Sequence, residues 1–137
     1  MKISTRGRYA LRLMIDLAKN QEEGNMSLKD ISCRQEISVK YLEHIVSLLV
    51  KKELVKSTRG AKGGYSLTRL PNQYTPKEIL EAVEGPIACV SCLEKENNTC
   101  SRYRECPTVV LYEGLNKVIN EYLESFTLEE LIKMKII

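Results

Sequence analysis

A chain of 137 residues has room for one compact domain with an appended element and falls short of two full domains. It has neither an uninterrupted apolar stretch of membrane-spanning length nor an N-terminal apolar run ending in a cleavage site, so a cytosolic protein with no membrane partner is expected. Five cysteines is an odd number, and in a reducing compartment it argues for thiolate chemistry over a disulfide framework. The only histidine, His44, belongs to no catalytic motif and no nucleophile–base pairing is legible, so the chain does not read as an enzyme.

The net charge of +3 hides an asymmetry. Residues 1–70 hold 14 Lys and Arg against 7 Asp and Glu, a net of +7, whereas residues 71–137 hold 7 against 11, a net of −4. Positive potential gathered on one half is what a polyanion-binding surface requires, and it leaves the other half free for a separate task.

In chain order, Ala10, Leu13, Met14 and Leu17 recur at helical spacing, which predicts a helix from Ser4 or Thr5 to about Asn20 with Arg6, Arg8 and Arg12 near its start. Ser27 with Asp30 three residues on opens a short helix with Leu28 and Ile31 inward. Cys33 within it is expected to pack in the core, the usual fate of a lone thiol. Ser38 caps a longer helix whose apolar stripe is Leu42, Ile45, Val46 and Leu49, with Lys40, Tyr41, Glu43, His44, Ser47 and Lys51 outward. Two helices joined by a tight turn at Glu36 and Ile37, the second polar and basic at its start, fit a helix-turn-helix.

Two short strands follow, Leu54 to Thr58 and Tyr65 to Thr68, joined by Arg59-Gly60-Ala61-Lys62-Gly63-Gly64. A hairpin with a flexible tip carrying Arg59 and Lys62 reads as the wing of a winged helix. It does not read as a phosphate-cradling nucleotide loop, since no Gly-Lys-Ser/Thr and no helix follow. Thr75-Pro76-Lys77-Glu78 then caps a helix carrying Ile79, Leu80 and Val83, stopped by Gly85-Pro86.

Between Cys89 and Cys106 stand four of the five cysteines, Cys89, Cys92, Cys100 and Cys106, separated by two, seven and five residues in a polar, loop-like segment. Packing does not account for such clustering, and grouped thiolates are what soft metals and iron-sulfur clusters take as ligands. Ligand type alone leaves zinc and an iron-sulfur cluster level. Only Cys89 and Cys92 form the close pair that a zinc knuckle uses twice. A thiol switch is a third use of the same residues.

From Pro107 a long helix is expected, with Leu111, Leu115, Val118 and Tyr122 in alternating steps of four and three and Ile119 beside them. Such a seam calls for a partner helix, either the same helix of a second copy or the first helix of the same chain. Gly114 marks a place where helices could approach closely. Thr127-Leu128-Glu129-Glu130 caps a last short helix with Leu131 and Ile132. The fold class expected is mainly α with a small β-hairpin. A winged helix-turn-helix spans 1–84, a cysteine loop 85–106, and a dimerisation helix with a short terminal helix 107–137.

The stretches Ser4-Thr5-Arg6-Gly7-Arg8-Tyr9-Ala10, Ile37-Ser38-Val39-Lys40-Tyr41-Leu42-Glu43 and Arg59-Gly60-Ala61-Lys62-Gly63-Gly64-Tyr65, with three cysteines before a long helix, resemble the IscR-type regulators of the Rrf-two superfamily. The resemblance spans nearly the whole chain. It implies a homodimeric winged-helix transcription factor carrying a 2Fe-2S cluster, with Cys92, Cys100 and Cys106 as ligands and Ser38, Lys40, Tyr41, Glu43 and Arg59 as DNA readers. Where that pattern has a histidine as fourth ligand this chain has Val109, which cannot bind iron, so Cys89, Glu105 or a group from a partner subunit is left to complete the site.

In this reading Arg6, Lys40, Lys51 and Lys62 contact phosphates while Ser38, Tyr41, Glu43 and Arg59 discriminate sequence, on double-stranded DNA with an inverted-repeat operator. The expected function is transcription regulation, as a repressor, responsive to cluster status. The alternative within the same superfamily is a regulator of cysteine or sulfur metabolism, or of redox or nitrosative stress, acting through a protein partner, a thiol switch or a zinc site.

Overall fold

Helix α1 (Thr5–Lys19) begins where Ser4 leaves the extended region and its hydroxyl accepts from the Gly7 amide at 3.0 Å, satisfying one of the free donors of the first turn. Its buried face holds Ala10, Leu13, Met14, Leu17 and Ala18, the period-3.6 stripe expected of a helix against a core. The computed structural model describes residues 2–134; residue 1 and residues 135–137, the outer ends of the first and third segments expected from sequence, lie outside the described residues.

Ser27 caps α2 (Leu28–Gln35) and Ser38 caps α3 (Val39–Lys51), each through its hydroxyl, at 3.1 and 3.2 Å. Between them Glu36 sits at φ 54°, the left-handed conformation that closes α2 and turns the chain sharply into α3. Leu42, Ile45, Val46 and Leu49 are all buried, as the spacing predicts. Ile31 is buried on α2 and Leu28 is half-buried. Cys33, expected in the core, is exposed: in so short a helix Ile31 fills the inward position, and two residues on the side chain points away.

Strands β1 (Val55–Thr58) and β2 (Gly64–Leu67) pair antiparallel, Val55 opposite Leu67 and Thr58 opposite Gly64. Sequence spacing did not reveal a further pairing, in which Met26 and Tyr65 exchange backbone hydrogen bonds of 2.9 and 2.8 Å and give the hairpin a short third edge. Gly64 makes that approach possible. At φ 140° it is in a region other residues avoid, and a Cβ there would stand 2.6 Å from the Met26 carbonyl oxygen.

Helix α4 (Pro76–Glu84) starts at Thr75 with proline in its first turn. Helix α5 (Val109–Glu124) begins two residues later than expected, because Thr108 is the N-cap and Pro107 stands before it. After α6 (Leu128–Lys133), capped by a Thr127/Glu130 capping box, the described chain ends.

The core is built from α1–α4, the base of the hairpin and α6. Leu128 is fully buried within it and its amide donates to the Tyr74 carbonyl at 3.0 Å, so the last described helix belongs to the same core as residues 2–84. Two buried polar groups organise this body. Asp16 accepts from Arg34 Nη2 at 2.7 Å, Arg34 Nε at 3.0 Å and Gln35 Nε2 at 3.0 Å, clamping α1 to α2. The Tyr74 hydroxyl donates to the Leu54 carbonyl and accepts from the amides of Thr68 and Arg69, each at 2.9 Å, fixing the base of the wing. A buried polar group is tolerated when its bonds are made, and both sites meet that condition.

Helix α5 behaves differently. It packs on α4 and is tied to it by the Lys77–Glu124 ion pair at 2.9 Å, while Leu111, Leu115, Val118 and Tyr122 are 66, 39, 63 and 63 % exposed. The seam therefore does not fold back on α1. Beyond the backbone of its own helix and its chain neighbours, nothing described lies within 4 Å of a Cβ placed on Gly114, so that glycine serves no close helix approach among the described residues.

Candidate nucleic-acid interface and thiol loop

One face of α3 is open to solvent. Ser38, Lys40, Glu43, His44 and Ser47 are exposed on it, because the opposite stripe is consumed by the core. Tyr41 is half-buried, its ring edge-on to Tyr9 with centroids 5.4 Å apart, and Arg12 lies 5.2 Å from the Tyr9 centroid. Tyr41 therefore helps hold α3 against α1 as well as bordering the outer face. Lys51 is at the far end of α3, about 18 Å from Val39 at 1.5 Å per residue, so α3 does not bring it together with the other candidates.

At the wing tip Arg59 and Lys62 are exposed. The tip is not a free loop: Asn25 Nδ2 donates to the Lys62 carbonyl at 3.0 Å and Gly63 N to the Gly60 carbonyl at 2.9 Å. Arg6 is half-buried and its Nε is enclosed without a hydrogen-bond partner. It lines an apolar groove of about 670 Å³ between the start of α1, the end of α4 and α5, bordered by Ile3, Leu80, Ile87, Val118, Ile119 and Leu123. Glu84 crosses this groove, accepting from the Ser4 amide at 2.9 Å and from the Ser4 hydroxyl.

The loop from Gly85 to Thr108 holds two 3-10 turns, Ser91–Leu93 and Tyr103–Glu105. It is fastened to one stripe of α5. Asn120 Nδ2 donates to the Ile87 carbonyl at 3.2 Å, Asn116 Oδ1 accepts from the Cys89 amide at 3.0 Å, and the Tyr103 hydroxyl donates to Glu113 Oε1 at 2.6 Å. The sequence reading missed these three α5 side chains. Their signal was polar residues at positions 113, 116 and 120, steps of three and four inside an otherwise apolar helix.

All five cysteines are free thiols. The Cys89 thiol donates to the Tyr112 carbonyl at 3.4 Å. Cys92 is half-buried, Cys100 is exposed with its amide on Asn98 Oδ1 at 2.9 Å, and Cys106 is half-buried at the entrance to α5. The Thr108 hydroxyl, 3.4 Å from Cys106 Sγ, lowers the Cys106 pKa, with the backbone amide of Thr108 helping, so its thiolate forms more readily than that of an ordinary cysteine. Glu105 is exposed in its 3-10 turn.

Among the described residues no three His, Cys, Asp or Glu side chains stand close enough to hold a metal ion. The donor set nevertheless fits a thiophilic group in chemistry: Cys92, Cys100 and Cys106 are reduced and unpaired, they lie in a segment without long regular elements, and one is biased toward thiolate. Binding would have to draw them together.

A helix-turn-helix, a wing braced at base and tip, and a thiol loop leading to a helix with an uncovered apolar row define a class: winged-helix DNA-binding transcription regulators. The chain belongs to the Rrf2 family, described as iron-dependent transcriptional regulators, whose sequence pattern matches residues 3–134. It is 45 % identical over 131 residues to the HTH-type transcriptional regulator CymR of Bacillus subtilis, covering 96 % of this chain and 89 % of that one. To the HTH-type transcriptional regulator IscR of Xenorhabdus nematophila it is 40 % identical over 133 residues, covering 97 % and 80 %. Among solved structures, CymR of B. subtilis, the global cysteine regulator of that organism, superposes with a TM-score of 0.79 at 38 % identity and covers 99 % of both chains. IscR of T. potens superposes at 0.76 with 37 % identity, covering 97 % of this chain and 87 % of the other. The expected fold, a winged helix in a mainly α chain, matches these neighbours, and the protein is a transcription regulator and not an enzyme. No described helix is long and apolar enough to cross a membrane.

Proposed function

We propose that this protein is a homodimeric repressor whose DNA binding responds to a 2Fe-2S cluster held by Cys92, Cys100 and Cys106. The observation that carries the reading is the placement of those free thiols in the one long segment joining the reader body to α5. When bound, the cluster would supply ligand bonds and a redox-sensitive charge; everything else is work for the chain. Drawing three thiols together shortens and stiffens residues 85–108, and ligand bonds offset the entropy lost in ordering them. Glu84 is the last residue of α4 and also receives Ser4 at the start of α1, so a change in that segment has a short path into the reader body.

Homodimerisation is supported by the row Leu111, Leu115, Val118 and Tyr122, which one chain leaves in water. A dimer presents two α3 helices, which suits an inverted-repeat operator. On each half-site Lys40 and Lys62 contact phosphates, while Ser38, Glu43 and Arg59 face base edges with Tyr41 at their border. Arg6 and Lys51 have weaker placements, one in the groove and the other at the far end of α3.

A second reading is favoured by one observation: the loop thiols stand apart, and CymR, a cysteine regulator, is at least as similar to this chain as IscR is. There the same fold answers to a thiol switch, a zinc site or a partner protein. Anaerobic reconstitution followed by iron and acid-labile sulfide analysis separates the readings. Iron and sulfide in equal amounts with a visible absorption spectrum, and operator binding that differs between loaded and empty protein, support the cluster reading. Zinc alone, or neither metal, moves the assignment to the second reading. A footprint covering one half-site would remove the homodimer.

A further inference from the structure

Resting on the reading of the wing as a DNA-contacting arm, we infer that Asn25 is a positioning residue. It holds the wing tip against the segment before α2, so that Arg59 and Lys62 meet DNA as a preformed pair of cations.

A hairpin of this kind is a poor arm when left to itself. Strands β1 and β2 have four residues each, and residues 59–64 include three glycines, which lose the most conformational freedom when ordered. Two short strands alone are marginal in water. Tyr74 fixes the base, but its backbone partners Leu54, Thr68 and Arg69 lie at the opposite end of the hairpin from Arg59 and Lys62.

Contacts from elsewhere in the chain order the tip. Gly63 N donates to the Gly60 carbonyl at 2.9 Å, closing a turn whose central residues are Ala61 and Lys62. A Cβ on Gly63 would run into the Thr58 carbonyl oxygen, so the tip is folded closely back on the end of β1. Asn25 Nδ2 donates to the carbonyl of Lys62, in that turn, at 3.0 Å. The next residue, Met26, exchanges two backbone hydrogen bonds with Tyr65, just past the tip. Consecutive residues thus grip the hairpin at two places, where one contact alone would leave the tip free to swing.

The grip is anchored in the body. Met26 is buried, and its sulfur stands 3.3 Å from Arg34 Nη2, part of the guanidinium that clamps Asp16. Ser27, next in the chain, is the cap of α2. The wing tip is therefore registered against the first helix of the helix-turn-helix and, through the Glu36 turn, against α3, which offers the other candidate contacts. Only a donor can face the Lys62 carbonyl, so removing the Asn25 amide releases the tip. Asn25 itself is half-buried and uncharged, whereas the two cations it holds in place are exposed.

A preformed tip binds more tightly because apparent affinity falls in proportion to the fraction of molecules in the competent arrangement. One hydrogen bond can shift that fraction by about 2- to 12-fold, its usual net contribution read as an equilibrium constant.

The test uses a DNA duplex selected from a random-sequence library by the parent protein, and measures affinity and its salt dependence. The full chain is compared with Asn25→Ala, with Arg59→Ala/Lys62→Ala, and with all three substitutions together. Asn25→Ala should weaken binding about 2- to 12-fold and flatten the slope of log affinity against log salt, with the urea midpoint near that of the parent. In the chain lacking both tip cations the same substitution should change affinity by less than about twofold, because nothing is left to position. An equal loss in both backgrounds would mean that Asn25 acts on DNA directly or through the body, and would overturn the assignment. So would parent-like affinity in Asn25→Ala, or a collapse of its urea midpoint. Should Arg59→Ala/Lys62→Ala keep the affinity and salt slope of the parent, the DNA-contacting reading of the wing would fall, and the assignment with it.

Discussion

The reader body and the segment from Gly85 to Glu124 follow opposite rules. In the body, apolar stripes face inward, and the buried polar atoms that organise it, Asp16 and the Tyr74 hydroxyl, have their bonds made. In the second segment the loop's thiols are unpaired, and α5 turns Leu111, Val118 and Tyr122 to solvent. Its fastenings are side-chain hydrogen bonds and a surface ion pair, which is worth under about 1 kcal/mol. Folding alone completes the first region. The second is built to be completed by something added, which is where a regulator needs its free energy to be adjustable.

The contrast can be broken most directly at α6, which belongs to the body although it follows α5 in sequence. Leu128→Ala empties a fully buried position and should cost about 2–5 kcal/mol in urea unfolding, with loss of the protected amides of α1. A cost below about 1 kcal/mol would mean that α6 is only laid on the surface and that the body ends at α4. Next in size is a change on the reading face that leaves the body untouched. Glu43 is exposed, and a carboxylate facing DNA costs affinity unless it accepts from a base such as cytosine. Glu43→Ala should therefore lower discrimination at one base pair by about 1–3 kcal/mol, without loss of stability. Unchanged relative affinities across a panel of operators would remove Glu43 from the reading face.

Smaller again is the brace beneath the wing. Tyr74→Phe keeps the ring packed and removes only the hydroxyl that serves Leu54, Thr68 and Arg69, leaving those backbone groups short of partners at about 1–2 kcal/mol. Because the base of the hairpin loosens, operator affinity should fall along with stability. Stability loss with unaltered affinity would separate the wing from DNA binding.

How much of this was readable beforehand follows the same division. The six helices and the hairpin were legible because each announces itself locally, through serine or threonine caps at Ser4, Ser27, Ser38, Thr75 and Thr127 and through apolar periodicity. What stayed hidden depends on partners distant in sequence. The Asp16–Arg34 clamp, the Tyr74 hydroxyl, the Met26–Tyr65 bridge and the Ser4–Glu84 contact join residues 6 to 80 positions apart, and no local pattern signals such a meeting. Cys33 was misjudged for a related reason: a short helix has too few turns to define its buried face from sequence. At the candidate site, thiol spacing pointed to the loop, but Asn116, Asn120 and Glu113 acquire meaning only once the loop lies along α5.

The smallest expected effect, that of the loop thiols on the metal-free protein, is the most decisive for the comparison. Replacing Cys92, Cys100 and Cys106 together with serine removes no core atom, since all three are exposed or half-buried and none is bonded to another. The urea midpoint of the metal-free protein should therefore stay where it is. In protein reconstituted with iron and sulfide the same substitution should abolish a stabilisation that grows with ligand, reaching about 4 kcal/mol at a thousandfold excess over the dissociation constant. A silent triple substitution without metal and a large one with metal is the signature of a segment completed from outside. A large effect without metal would instead make the thiols part of the folded core, and the second region would then differ from the first only in how it is exposed.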